Sequence, residues 1–127
     1  MLATVPVTTI LQVADGGSAV AFYRDTLGLD HVGRNEEGQE VFRLGGGGAL
    51  ALVPESETPP TGRTEISFEV DDVVVEVRDL EARGVSFHDY DFPGLRTVDH
   101  VATTGSMRSA WFSDPSGNVL CLHELLG

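Results

Sequence analysis

Glu65, Cys121 and His123 are the side chains of this 127-residue chain whose types and spacing best suit chemistry. Cys121 and His123 stand two apart, so on a β-strand they share a face. With Glu65 turned the same way they would offer a sulfur, a nitrogen and an oxygen, a set that suits zinc. The competing reading is a buried thiol beside a cleft-lining imidazole, and it is the expected one: no metal and no cofactor is implied. Glu65 and Ser67 alternate with Ile66, Phe68 and Val70, which should pack on helices, so the polar pair is expected to face a concavity. A carboxylate partly withdrawn from water there would have a raised pKa. It could serve as a general base with His123 as proton partner, or pair with a cationic ligand. Otherwise it is a solvated carboxylate or the partner of Arg96 or Arg108. Trp111 either stacks on a flat ligand or packs in the core. Tyr90, Phe92 and Leu95 either close over the site, with Gly94 and Gly105 as hinges, or pin a long stretch to the surface.

The elements that must position these groups are written twice. Thr8 to Val13 alternates, and Asp15-Gly-Gly-Ser18 suits a helix N-cap. The next helix, of about three turns, carries Val20, Tyr23 and Leu27 on one stripe and stops at Gly28. Three strands follow, Leu29 to Gly33, Glu40 to Leu44 and Ala49 to Val53, completing a βαβββ module. Thr64 to Val70 repeats the strand, and Asp71-Asp72 caps a helix from Val73 to Arg83 before Gly84. The three valines at 73 to 75 favour strand, but the Val73/Val77/Leu80 spacing favours helix. After Val85 to Phe87 comes a loop-like stretch, then a hairpin, Ser109 to Ser113 and Val119 to Glu124, about Asp114-Pro-Ser-Gly117.

Leu11 superposes on Phe68, an offset of 57, and Leu50 on Leu120, an offset of 70, so the second copy is about 13 residues longer. The excess falls in or near 87 to 108. Module one spans about residues 7–55, a Pro-rich linker about 56–63, and module two about 64–126. The glycines at 45 to 48 are not a phosphate loop: they lack Lys-Ser/Thr and lie between strands. His31, His88 and His100 have no recognisable partner in the sequence and are read as solvated.

Acidic side chains outnumber basic ones, 20 against 8, for a net charge of −12. That balance argues against nucleic acid, whose phosphates need Lys and Arg, and against an anionic membrane surface. The single cysteine cannot form an intramolecular disulfide. No apolar run approaches the roughly 18 residues of a membrane span. Met1 to Val7 lacks the basic and apolar regions of a signal peptide, so the expected location is the cytoplasm.

The duplicated βαβββ module, the phrases Ala21-Phe-Tyr-Arg-Asp-Thr-Leu-Gly-Leu29 and Glu69-Val-Asp-Asp72, and Ala110-Trp-Phe-Ser-Asp-Pro-Ser-Gly-Asn118 together resemble the glyoxalase/bleomycin-resistance/extradiol-dioxygenase (vicinal oxygen chelate) superfamily. The resemblance implies an α+β fold in which two βαβββ modules form a curved mixed sheet around a cleft. It implies four metal-ligand positions, corresponding here to Thr8, Ala51, Glu65 and Cys121, of which only Glu65 is a usual ligand. It also implies a homodimer, with Thr8 and Ala51 facing Glu65 and Cys121 across the subunit boundary or within one chain. The leading functional expectation is a metal-independent protein that binds and sequesters a neutral or cationic, partly aromatic drug or metabolite, with Gln12 and Glu69 near the cleft edge. The alternative is a lyase, isomerase or dioxygenase-type enzyme in the same cleft, metal-free with Glu65 as base or with an atypical metal site. A third is a dimeric interaction module without a ligand.

Overall fold

Two segments, Met1–Pro60 and Thr61–Gly127, fold as separate units in the computed structural model, which describes residues 1–127. In the first, β1 (Thr8–Gln12) leads to Asp15, whose carboxylate accepts from Gly17 N at 3.0 Å and starts α1 (Gly16–Ala21). The helix widens into a π turn over Phe22–Thr26, closed by Leu27 N donating to Phe22 O at 2.9 Å. That extra residue per turn corrects the expected stripe: Gly16, Ala19 and Tyr23 are buried, whereas Val20 and Leu27 are only half-buried. Gly28, at φ 75, ends the helix as expected, and Leu29 N reaches back to Tyr23 O.

The strands β2 (Asp30–Arg34), β3 (Glu40–Arg43) and β4 (Ala49–Val53) complete a four-stranded sheet in the order β1-β4-β3-β2. Only β1 and β4 run parallel. Leu11, Phe42, Leu50 and Leu52 form its buried face, and Tyr23 packs on Phe42 with ring centroids 6.0 Å apart. At its margin Glu40, 7% exposed, accepts from Arg34 Nε at 2.8 Å and meets His31 Nε2 at 2.9 Å. The Arg34 bond, more than His31, holds the Glu40 carboxyl below the usual carboxylate range against the opposing effect of burial.

The second unit repeats this grammar. β5 (Thr64–Glu69) leads to Asp72, which caps α2 (Val73–Ala82) by accepting from Val75 N at 3.2 Å. Val73, Val77 and Leu80 are buried, so the helical spacing prevails over the strand propensity of three valines. α2 lies on β9 (Met107–Ser113) and β10 (Val119–Leu125), covering Ala110, Phe112, Leu120 and Leu122. The turn between those strands is the expected one: Asp114 accepts from Ser116 N and Asn118 N, both at 2.9 Å, and Gly117 has φ 91.

The stretch read as a loop is structured. It contains β6 (Asp91–Phe92), β7 (Leu95–Val98) and β8 (Val101–Thr104), extending a six-stranded sheet in the order β5-β10-β9-β8-β7-β6. β8, not Val85 to Phe87, fills the place that β2 holds in the first unit; Phe87 makes only an isolated bridge to Phe112. Gly94 and Gly105 are turn residues clamped by the pairs Phe92–Leu95 and Thr104–Met107, so they are not hinges. Between β7 and β8 a two-residue turn places Asp99 at φ 51 and His100 at φ 71. His100 tolerates that conformation while bound to Asp89 at 2.9 Å and Glu81 at 3.3 Å. The fold is therefore α+β, with one mixed sheet in each unit.

Candidate functional site

The face of the second sheet turned away from α2 carries the chemistry. Cys121 pairs with Ser67 on one side and Trp111 on the other, and His123 pairs with Glu69 and Ser109. Paired and alternate residues share a face, so these six side chains stand together. A bulge decides this register. Thr64 pairs with Val119 and Ile66 with Leu120, leaving Glu65 as the extra residue of β5.

That slip leaves Glu65 without a strand partner beside His123, as the solvated alternative for this carboxylate has it. Glu65 is exposed, not withdrawn from water, and its Oε1 accepts from Thr61 Oγ1 at 2.6 Å. His123 is held by other partners: Ser67 Oγ lies 2.6 Å from its Nδ1, and Glu69 Oε1 lies 3.8 Å from its Nε2. In the Nε2–H tautomer Nδ1 accepts from the Ser67 hydroxyl, while Glu69 stands beyond hydrogen-bond distance of Nε2. Cys121 is 5% exposed, and burial pushes its thiol up despite the hydroxyls of Ser67 and Ser109, which act the other way. Such a thiol stays protonated and is a poor nucleophile.

An aromatic ladder borders this cluster. Trp111, half-buried, meets Tyr90 edge to face at 5.4 Å, and Tyr90 meets Phe92 at 6.0 Å. Thr97 N donates to Tyr90 O and Tyr90 N to Thr97 Oγ1, both at 2.9 Å, which fixes the ladder to β7 and pins Tyr90 and Phe92 to the sheet. Burial, with a smaller effect of Cys121, pushes the Tyr90 phenol up. His88, expected to be solvated, bonds Ser113 Oγ at 2.9 Å and Tyr90 Oη at 3.2 Å. His31 and His100 likewise have the partners described above. Ser109 and Ser113 carried no expected role, although their alternation with Trp111 places all three on one face.

In the first unit Thr8 and Gln12 stand exposed on β1, either side of Ile10. Ala51 is buried on β4 between Ile10 and Val41. Of the positions that the resemblance implies as ligands, Thr8 thus holds a hydroxyl, Ala51 a methyl group, Glu65 a carboxylate tied to Thr61 and Cys121 a buried protonated thiol. They do not fit a metal, and no three His, Cys, Asp or Glu side chains group as ligands anywhere in the chain.

The model of the "Glyoxalase/Bleomycin resistance protein/Dioxygenase superfamily" matches residues 5–122. The chain belongs to that superfamily. No curated protein matches it. Among solved structures, this superfamily member is similar to TnmS3, an antibiotic binding protein from Streptomyces sp. CB03234, at 27% identity and a TM-score of 0.70 over 98% of both chains. A glyoxalase/bleomycin resistance protein from the same organism is 28% identical with a TM-score of 0.67, over 93% of this chain and 98% of the other. A superfamily member from Sphaerobacter thermophilus DSM 20745 is 26% identical with a TM-score of 0.77, over 98% and 99%. No helix of the chain is long and apolar enough to cross a membrane.

Proposed function

We propose that the protein binds a neutral or cationic, partly aromatic small molecule without a metal, and acts by sequestering it. The observation that carries this reading is Trp111, held edge-on by Tyr90 so that its indole is half-buried, and flanked on the same face by Ser67, His123 and Glu69. A ring platform bordered by hydrogen-bonding groups orients a flat ligand, and Glu69 within a chain of net charge −12 disfavours anions. The resemblance to an antibiotic binding protein supports the same class of function. Cys121 belongs to the proposed site as a neutral lining group. A cytoplasmic homodimer completes the reading, and native mass spectrometry reports its subunit count.

The chain has one tryptophan, so its fluorescence reports this site directly. Proflavine, naphthol and naphthalene sulfonate are titrated in turn. Quenching by the cation and the neutral ring at lower concentration than by the sulfonate is expected; tighter binding of the sulfonate overturns the charge argument. An enzymatic reading in which a proton is taken beside a carbonyl now rests on His123, because Glu65 does not meet it.

A further inference from the structure

We propose that Ser67 is an acyl-accepting nucleophile, and that this face of the second unit hydrolyses activated carboxylic esters with His123 as the base. The Ser67 hydroxyl stands 2.6 Å from His123 Nδ1 and is exposed, so an ester carbonyl can reach Oγ. Glu69 lies on the opposite side of the ring, 3.8 Å from Nε2, where it supports the imidazolium that forms when Nδ1 takes the hydroxyl proton. The bulge at Glu65 brings the three together. An unbroken register would pair Ser67 and Glu69 with the strand positions of Leu122 and Glu124, on the helix-side face; the extra residue moves both onto the face of His123.

In the reaction Ser67 Oγ bonds to the ester carbonyl carbon while its proton passes to His123 Nδ1. The tetrahedral adduct collapses, the ester C–O bond breaks, and the alcohol leaves with that proton. Water then adds to acyl-Ser67, giving a proton to Nδ1. The Ser67–acyl bond breaks, the proton returns to Oγ, and ester plus water has become acid plus alcohol. Glu69 is a positioning residue that acts through His123. The activity goes beyond ligand sequestration and does not depend on it.

The test incubates the full chain with 4-nitrophenyl acetate, following nitrophenolate release and mapping acetyl groups by peptide mass spectrometry. Release above that of an equal concentration of free imidazole is expected, with acetyl on Ser67. Ser67→Ala and His123→Gln each lower the rate about tenfold or more, whereas His100→Gln, an imidazole elsewhere on the unit, changes it less than about twofold. Glu69→Gln slows the reaction about two- to fivefold at low salt, and the difference closes at high salt, as an exposed charge contact requires. Circular dichroism verifies each variant's fold; should Ser67→Ala fail to fold, acetyl mapping on the unaltered chain decides. No release beyond imidazole, release that persists in Ser67→Ala, or acetyl found only away from Ser67 overturns the proposal.

Discussion

The two units share a four-stranded core, β1-β4-β3-β2 in one and β5-β10-β9-β8 in the other, yet the histidine and carboxylate clusters stand on opposite faces, Glu40 with His31 in the first and Glu69 with His123 in the second. In register Phe42 corresponds to Phe112, Leu50 to Leu120, Ala51 to Cys121, Val41 to Trp111 and Ile10 to Ser67. At the centre of the helix-side face the residue types are the same in both copies, Phe42 with Phe112 and Leu50 with Leu120, because each must bury an apolar face under a helix. The opposite face differs at every pair: Ile10, Ala51 and Val41 in the first unit, Ser67, Cys121 and Trp111 in the second. The first unit keeps a buried charge cluster, Glu40 with His31 and Arg34, on its helix-side face. Packing under the helices therefore preserves the central Phe and Leu pairs, and the copies differ in chemistry on the face turned away from the helices and at the helix-side pair Glu40 and Ala110.

The comparison can be broken at its core first. Phe42→Ala and Phe112→Ala, both at fully buried positions, should each cost about 3–5 kcal/mol in urea unfolding. A large loss at one position and little at the other would show that the two cores are not equivalent. Next in size is Trp111→Val, which gives the second unit the residue of the first. It should weaken proflavine binding about tenfold or more by calorimetry, while the fold is kept.

Glu40→Gln should cost about 1–2 kcal/mol at neutral pH, because it weakens charge-assisted bonds at a buried carboxylate. The pH sign follows from the lowered carboxyl: the folded state binds that proton less readily than the unfolded one. Its contribution is thus present above the unfolded value of about 4.3 and is lost as pH falls through the lower folded value. Unfolding curves of the wild type and Glu40→Gln should therefore converge below about pH 4; a constant gap would contradict this. Smallest is Cys121→Ala, which copies Ala51. It should change stability by about 1 kcal/mol or less and leave proflavine binding within about twofold, since a protonated buried thiol contributes packing and only a weak hydrogen bond, here to Leu122 O.

Much of this was legible before any coordinates. The Asp15 and Asp72 caps, the Gly28 stop and the Asp114–Gly117 turn are local, with each residue's chemistry satisfied by backbone within a few positions. The hairpin at Asp99–His100 was not legible, because it lacks the Asn-Gly type of signal and depends on contacts of His100 with Asp89 and Glu81, 11 and 19 residues back along the chain. His88 was misread for the same reason: its partner Ser113 lies 25 residues on.

Sequence by itself determined the strand and capped helix that open each unit, the four strands of the first, the superfamily and the shared face of Cys121 and His123 on β10. Periodicity and capping are local, and burial of an apolar face leaves little choice among alternatives. Tertiary structure alone decided which carboxylate meets His123. One bulged residue in β5 shifts the parallel register, removes Glu65 from the cluster and brings Ser67 and Glu69 to either side of the imidazole. Strand register is a non-local property, set by how two distant segments pair, and a single extra residue exchanges the face that every later side chain presents.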